Sequence, residues 1–235
     1  MKILGLEIES KTDILAASAF VLSLGGLVAQ AAIIVKGPHV ILEGPDQVLL
    51  HAYDYGSGHR YVSLAATSTY VNTGTPSFGD VLRSESASLL VEGKRFEFMP
   101  ISFVDVDSKA GKLNIIRESA WKPVKLASGD VETITTLFVP RPGEGGNSSS
   151  FITLPQLLAL LEKMSLSRSV DFSLVATTFS NRKIVYGCRL VNGDFIHGLR
   201  VKGWSAPLCR GGKSRISSPI GDVFERFTKY ASGDS

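Results

Sequence analysis

Tyr61–Val71 reads YVSLAATSTYV. Val62, Leu64, Ala66 and Tyr70 alternate with Ser63, Thr67 and Thr69, so one face is apolar and the other hydroxylic. A period of two over this length is the mark of a half-buried strand. Asn72-Thr73-Gly74 closes it with turn residues. Downstream the pattern recurs. Ala87, Leu89 and Val91 alternate, Glu92-Gly93 turns the chain, and Phe96 and Phe98 continue on the return; Ile101–Val106 is a further short strand. Val131–Val139 is dense in β-branched residues. Ser169–Thr178 and Lys183–Val191 follow, joined through Ser180-Asn181-Arg182, and Asn192-Gly193 signals a hairpin into a strand at Phe195–Val201. Upstream, His39–Leu50 is extended and broken at Gly44-Pro45, and His51–Arg60 is a turn region.

Short strands with a turn about every ten residues predict an antiparallel sandwich. A parallel α/β sheet needs a helix between most strands, and those helices are missing. Two short helices are expected within the domain. Near 153–164, Thr153 and Gln156 form a capping box, Ile152 and Leu157 a hydrophobic staple, and Pro155 lies in the first turn. Near 219–230, Ile220, Val223, Phe224 and Phe227 share one face, with Glu225 and Lys229 spaced for an ion pair.

Before all of this stands Ile14–Val35, ILAASAFVLSLGGLVAQAAIIV, twenty-two residues without a charge. As a helix it spans about 33 Å, enough for a hydrocarbon core of about 30 Å. Ala29-Gln30-Ala31 resembles a signal-peptidase site, but the run exceeds a signal h-region and the preceding residues are acidic rather than basic. As a buried core helix it has no polar stripe. An uncleaved single-pass helix fits it better than either alternative. The expected division is a flank at 1–13, a transmembrane helix at 14–35 and a soluble β domain at 36–235. Lys2, Lys11 and the free amine outweigh Lys36 across the span, which places the amino terminus in the cytoplasm and the domain in the periplasm, at the inner membrane of a bacterial cell.

The opening MKILGLEIESKTDILAASAFVLS, with GPHVILEGPDQVLL and the strand ending TYVNTG, resembles uncharacterised bacterial single-pass membrane-anchored proteins with an immunoglobulin-like domain. The likeness covers about the first third of the chain and the general strand pattern. It implies an anchored, exported, immunoglobulin-like sandwich and transfers no catalytic residue.

The formal net charge of +3 demands no nucleic-acid partner. His51, Asp54 and His59 are the side chains best suited to bind zinc or copper, although their spacing matches no established site and turn chemistry explains them as well. Asp105, Asp107 and Lys109 begin like a calcium loop but lack its glycine and closing glutamate, so a turn reads better. Arg200, Lys202, Arg210, Lys213 and Arg215 surround Trp204 in the most basic segment, a surface for lipid headgroups or an acidic partner. Asn147-Ser148-Ser149 matches a glycosylation acceptor inside a polar loop. Cys188 and Cys209 are too few for a disulfide scaffold but are expected to pair if the domain is exported. No catalytic set, resident metal or cofactor is expected. The function expected is a membrane-tethered, non-catalytic interaction module of the envelope, contacting the bilayer through 14–35 and another envelope protein through the domain. The alternative is a metal-binding protein or metal-dependent enzyme using His51, Asp54 and His59.

Overall fold

The computed structural model of the chain describes residues 2–3, 6–7, 11–36, 38–54, 59–74, 79–109, 112–141, 152–164, 169–191 and 195–217. Two short strands, β1 (Lys2–Ile3) and β2 (Leu6–Glu7), pair with each other. The helix α1 (Lys11–Lys36) follows, 26 residues long and without a preferred apolar face. The predicted span at 14–35 falls inside it. Among the described residues no helix is long and apolar enough to cross a membrane.

The remaining strands form one antiparallel sheet. Its main path runs β4 (Val48–Asp54), β5 (Arg60–Asn72), β10 (Val131–Pro140), β7 (Lys94–Lys109), β6 (Asp80–Val91), β11 (Ser169–Thr178), β12 (Lys183–Val191) and β14 (Cys209–Ser217). Off this path, β3 (Val40–Glu43) pairs with β5, β8 (Lys112–Ala120) with β7, and β9 (Val124–Leu126) with β6. The two-residue β13 (Trp204–Ser205) pairs with β4 at the far end.

The sheet closes on itself. β13 places Trp204 opposite His51, and β14 places Cys209 opposite Leu190. The residues between them extend the first ladder: Gln47 bridges Leu208, Val48 N donates to Pro207 O at 3.2 Å, and Cys209 N donates to Asp46 O at 2.8 Å. One segment, 204–217, therefore borders β4 with its first part and β12 with its second. Further contacts hold this seam. Ser214 Oγ donates to Leu42 O, and the Tyr186 hydroxyl donates to Pro45 O at 3.3 Å. Gly44 and Gly212 flank the Tyr186 ring, and a β-carbon at either would collide with it. Cys188 and Cys209 form a disulfide, with Cα atoms 5.4 Å apart.

Facing walls of this sheet enclose one core, and in that sense the fold is sandwich-like. Val62, Leu64, Ala66 and Tyr70 of β5 are buried there, as their alternation predicts, together with Phe98, Phe138 and Phe172. The pairing joins all these strands in one curled sheet, whereas an immunoglobulin-like domain keeps two separate sheets. The helix α2 (Leu154–Lys163) covers the core with Leu154, Leu157 and Leu161. Its capping box is formed: Gln156 N donates to Thr153 Oγ1, and Thr153 N donates to Gln156 Oε1. Ile152 and Leu157 of the staple are both fully buried.

The structure corrects the sequence reading in four places, the first being His51–Arg60, where His51–Asp54 are not turn residues but the end of β4, paired with β5. Phe195–Val201 is not a strand but the helix α3 (Phe195–Lys202). Ile196 and Leu199, three apart, pack on the core, and Gly198 lets the helix close on β13, since a β-carbon there would lie 2.9 Å from Trp204 O. Ile101–Val106 is no separate strand; it continues β7 from Phe96 and Phe98. Asp105, Asp107 and Lys109 lie in that strand, opposite Ile116, Asn114 and Lys112 of β8, and not in a turn. The expected elements at Asn192-Gly193, Asn147-Ser148-Ser149 and 219–230 lie outside the described residues.

Candidate functional site

The outer face of the sheet carries a second, smaller apolar cluster. Leu49, Ala65 and Val104 are its buried members, with Leu113, Ile115 and Trp204 packed against them. These residues come from β4, β5, β7, β8 and β13. The hairpin of β7 and β8 must therefore bend over the outside of β10, β5 and β4. Two irregularities produce the bend. The β10–β7 register slips past Ile101, between Leu137 opposite Ser102 and Phe138 opposite Pro100. The β7–β8 register slips past Glu118, between Phe103 opposite Ser119 and Val104 opposite Arg117. Bulges of this kind sharpen local twist and redirect a strand.

Beneath the bent hairpin lies a cleft of about 480 Å³. Leu113, Ile115, Leu137 and Val139 give it apolar walls, Arg117 supplies a cation, and no carboxylate among the described residues lines it. Two polar atoms in its lining have no hydrogen-bond partner among the described residues, His51 Nδ1 and Ser102 Oγ. Ser102 is 0% exposed. Buried polar atoms are paired in the large majority of cases, so two orphans lining one cleft are a signal of an absent partner.

Burial, and then the positive charge of Arg60, lower the pKa of His51 below its ordinary value of 6.5. The folded protein thus holds this ring neutral where the unfolded chain would already protonate it. Its contribution to stability is complete above pH 6.5 and is lost as the pH falls through the lowered folded value. We expect the urea midpoint of the wild type to drop between about pH 7.5 and about pH 5 more than that of His51→Gln. Parallel pH profiles would show that His51 is not the titrating group.

The structure does not assemble His51, Asp54 and His59 as a metal set. His51 and Asp54, three apart on β4, fall on opposite sides of the strand, and His59 is exposed before β5. Among the described residues no group of three or more His, Cys, Asp or Glu side chains is placed to hold a metal ion. The basic residues divide. Arg210, Lys213 and Arg215 pair with Arg189, Gly187 and Val185, which puts all three on the outward, exposed side of β14. Lys202 lies with its Nζ 5.6 Å from the Trp204 ring centre and shares a groove with Arg210. Arg200 instead pairs with Glu162 of α2.

One charged residue of consequence escapes the sequence reading. Glu85 is 4% exposed and accepts hydrogen bonds from three side chains: Tyr70 at 2.5 Å, Thr136 at 2.8 Å and Trp121 at 3.0 Å. β6 carries a bulge at Arg83, since Ser84 faces Thr177 and Leu82 faces Thr178. The extra residue shifts the alternation, so the inward set changes from Asp80 and Leu82 to Glu85, Ala87, Leu89 and Val91. Burial, followed by the charge of Glu85, raises the Tyr70 pKa well above its usual value and keeps the phenol a donor. The knot ties β5, β6 and β10 together with the segment after β8.

The sequence matches no protein-family model and no curated protein.

Proposed function

We propose that this protein is a membrane-tethered, non-catalytic interaction module of the bacterial envelope. The tether would be α1, with the amino terminus in the cytoplasm and the β domain in the periplasm, as in the anchored proteins that the opening resembles. The observation that supports this reading is the surface of α1. Leu15, Phe20, Leu22, Leu27 and Val28 are each more than 60% exposed, and they point around the whole helix. Apolar surface of that extent is costly in water and favourable in hydrocarbon. The Cys188–Cys209 bond supports an oxidising compartment for the domain. The role of the domain as a module for another envelope protein draws support from its outward, exposed basic row of Arg210, Lys213 and Arg215.

The full-length protein is expected to stay in the membrane pellet after alkaline carbonate extraction and to keep its amino terminus. A phosphatase reporter fused after Ser235 is expected to be active outside the cytoplasm. Recovery of a soluble chain beginning at Ala32 would replace the tether with a cleaved signal peptide. Activity of a cytoplasmic reporter at the same point would reverse the orientation.

A further inference from the structure

The cleft under the β7–β8 hairpin is a built site, independent of whether the protein is tethered. Its volume of about 480 Å³ suits a small organic molecule. Its walls are apolar, and its orphan polar atoms lie at two separate places. His51 is on β4 and Ser102 on β7, with β5 and β10 between them. Three strand spacings amount to about 14 Å across a flat sheet. One head group cannot satisfy both atoms.

The two ends also differ in charge. At the β7 end, Arg117 donates from Nη2 to Ile101 O at 3.5 Å, next to Ser102. That bond is long, and about four further guanidinium N–H groups remain to be satisfied by water or by a ligand. A cation, a buried hydroxyl and no carboxylate among the described lining residues together favour a carboxylate ligand at this end. At the β4 end the ring of His51 is neutral, and a neutral imidazole nitrogen pairs best with an uncharged hydroxyl. Between the two ends, Leu137 and Val139 with Leu113 and Ile115 present hydrocarbon, and the Ser63 hydroxyl on β5 already donates to His51 O at 3.1 Å.

We propose that the cleft binds an elongated, mainly apolar carboxylic acid bearing a hydroxyl at its far end, with the carboxylate on Arg117 and Ser102 and the hydroxyl on His51. An eight-carbon ω-hydroxy acid, extended, has about the length required. Binding requires no covalent step.

The test is calorimetric titration of the full-length protein in lipid nanodiscs with 8-hydroxyoctanoate, with empty nanodiscs as the blank. Saturable binding at one site per chain is expected. Octanoate, lacking the hydroxyl, should bind at least about 5-fold more weakly, as loss of one hydrogen bond implies. Arg117→Gln should weaken 8-hydroxyoctanoate by about 10-fold or more. His51→Phe should abolish the preference for the hydroxyl while leaving octanoate unchanged, and that unchanged arm shows that the variant is folded. Absence of saturable binding would overturn the proposal. So would equal binding of the two acids, an Arg117→Gln variant that binds like the wild type, or a preference that survives His51→Phe.

Discussion

Glu85→Ala is expected to destabilise the protein by about 3–5 kcal/mol, enough to remove a large part of the stability of an ordinary domain. Glu85 accepts from Tyr70, Thr136 and Trp121 inside the fold. An ionised carboxylate is acceptor only, with room for all three donors. Alanine leaves those three donors facing a cavity, and each unsatisfied buried donor costs about 1–3 kcal/mol. The Trp121 indole reports on the change directly, because its N–H loses its acceptor. Urea unfolding followed by tryptophan emission measures the loss. Glu85→Gln retains the volume but turns one oxygen into a donor, so it should fall between the wild type and alanine. A loss below about 1 kcal/mol for Glu85→Ala would mean that the donors find other partners cheaply.

Removing the Cys188–Cys209 bond by the double substitution Cys188→Ser and Cys209→Ser is expected to cost about 3 kcal/mol. The bond closes a loop with a sequence separation of 21, and the loss of loop-closure entropy in the unfolded chain gives that magnitude. A reducing agent should lower the stability of the wild type by a similar amount and leave the double variant unaffected. Cys188 is 6% exposed and sits in the core beside Tyr186, so part of the loss will reflect packing around the new hydroxyls. The comparison with reduced wild type separates the two contributions. An oxidised wild type no more stable than its reduced form would show that the bridge does not support the fold.

The all-antiparallel β domain is legible where side chains alternate against one core. Val62, Leu64, Ala66 and Tyr70 on β5, and Ile184, Tyr186, Cys188 and Leu190 on β12, are apolar at alternating positions because that face meets the core, although on β5 the opposite face is also covered at Ser63 and Ala65. Thr153 and Gln156 announce α2 because capping is local chemistry. The failures have equally physical causes. Glu85 looks like a surface residue until the bulge at Arg83 turns it inward, and a bulge leaves no mark in composition. β14 goes unpredicted because Arg210, Lys213 and Arg215 point outward and Gly212 is kept bare to admit the Tyr186 ring. FIHGLRV carries the β-branched residues of a strand, yet Ile196 and Leu199 are spaced for a helix whose packing decides the outcome. The cleft is invisible in the sequence for another reason. His51 and Ser102 belong to strands that β5 and β10 separate, and only the folded hairpin of β7 and β8 makes them walls of one space.

Closure of the sheet by residues 204–217 imposes a timetable on the growing chain. Until that segment has been made, β4 lacks the partner it finds in β13, and β12 lacks β14. Unfinished domains therefore carry two bare edges, the feature most prone to pairing with a neighbouring chain. Contacts so distant in sequence also form slowly. Cys209 stands where the second ladder begins, opposite Leu190 and bonded to Cys188. Thiol labelling of newly made chains thus provides a clock: the moment at which Cys188 ceases to react marks the arrival of the segment that shuts the barrel.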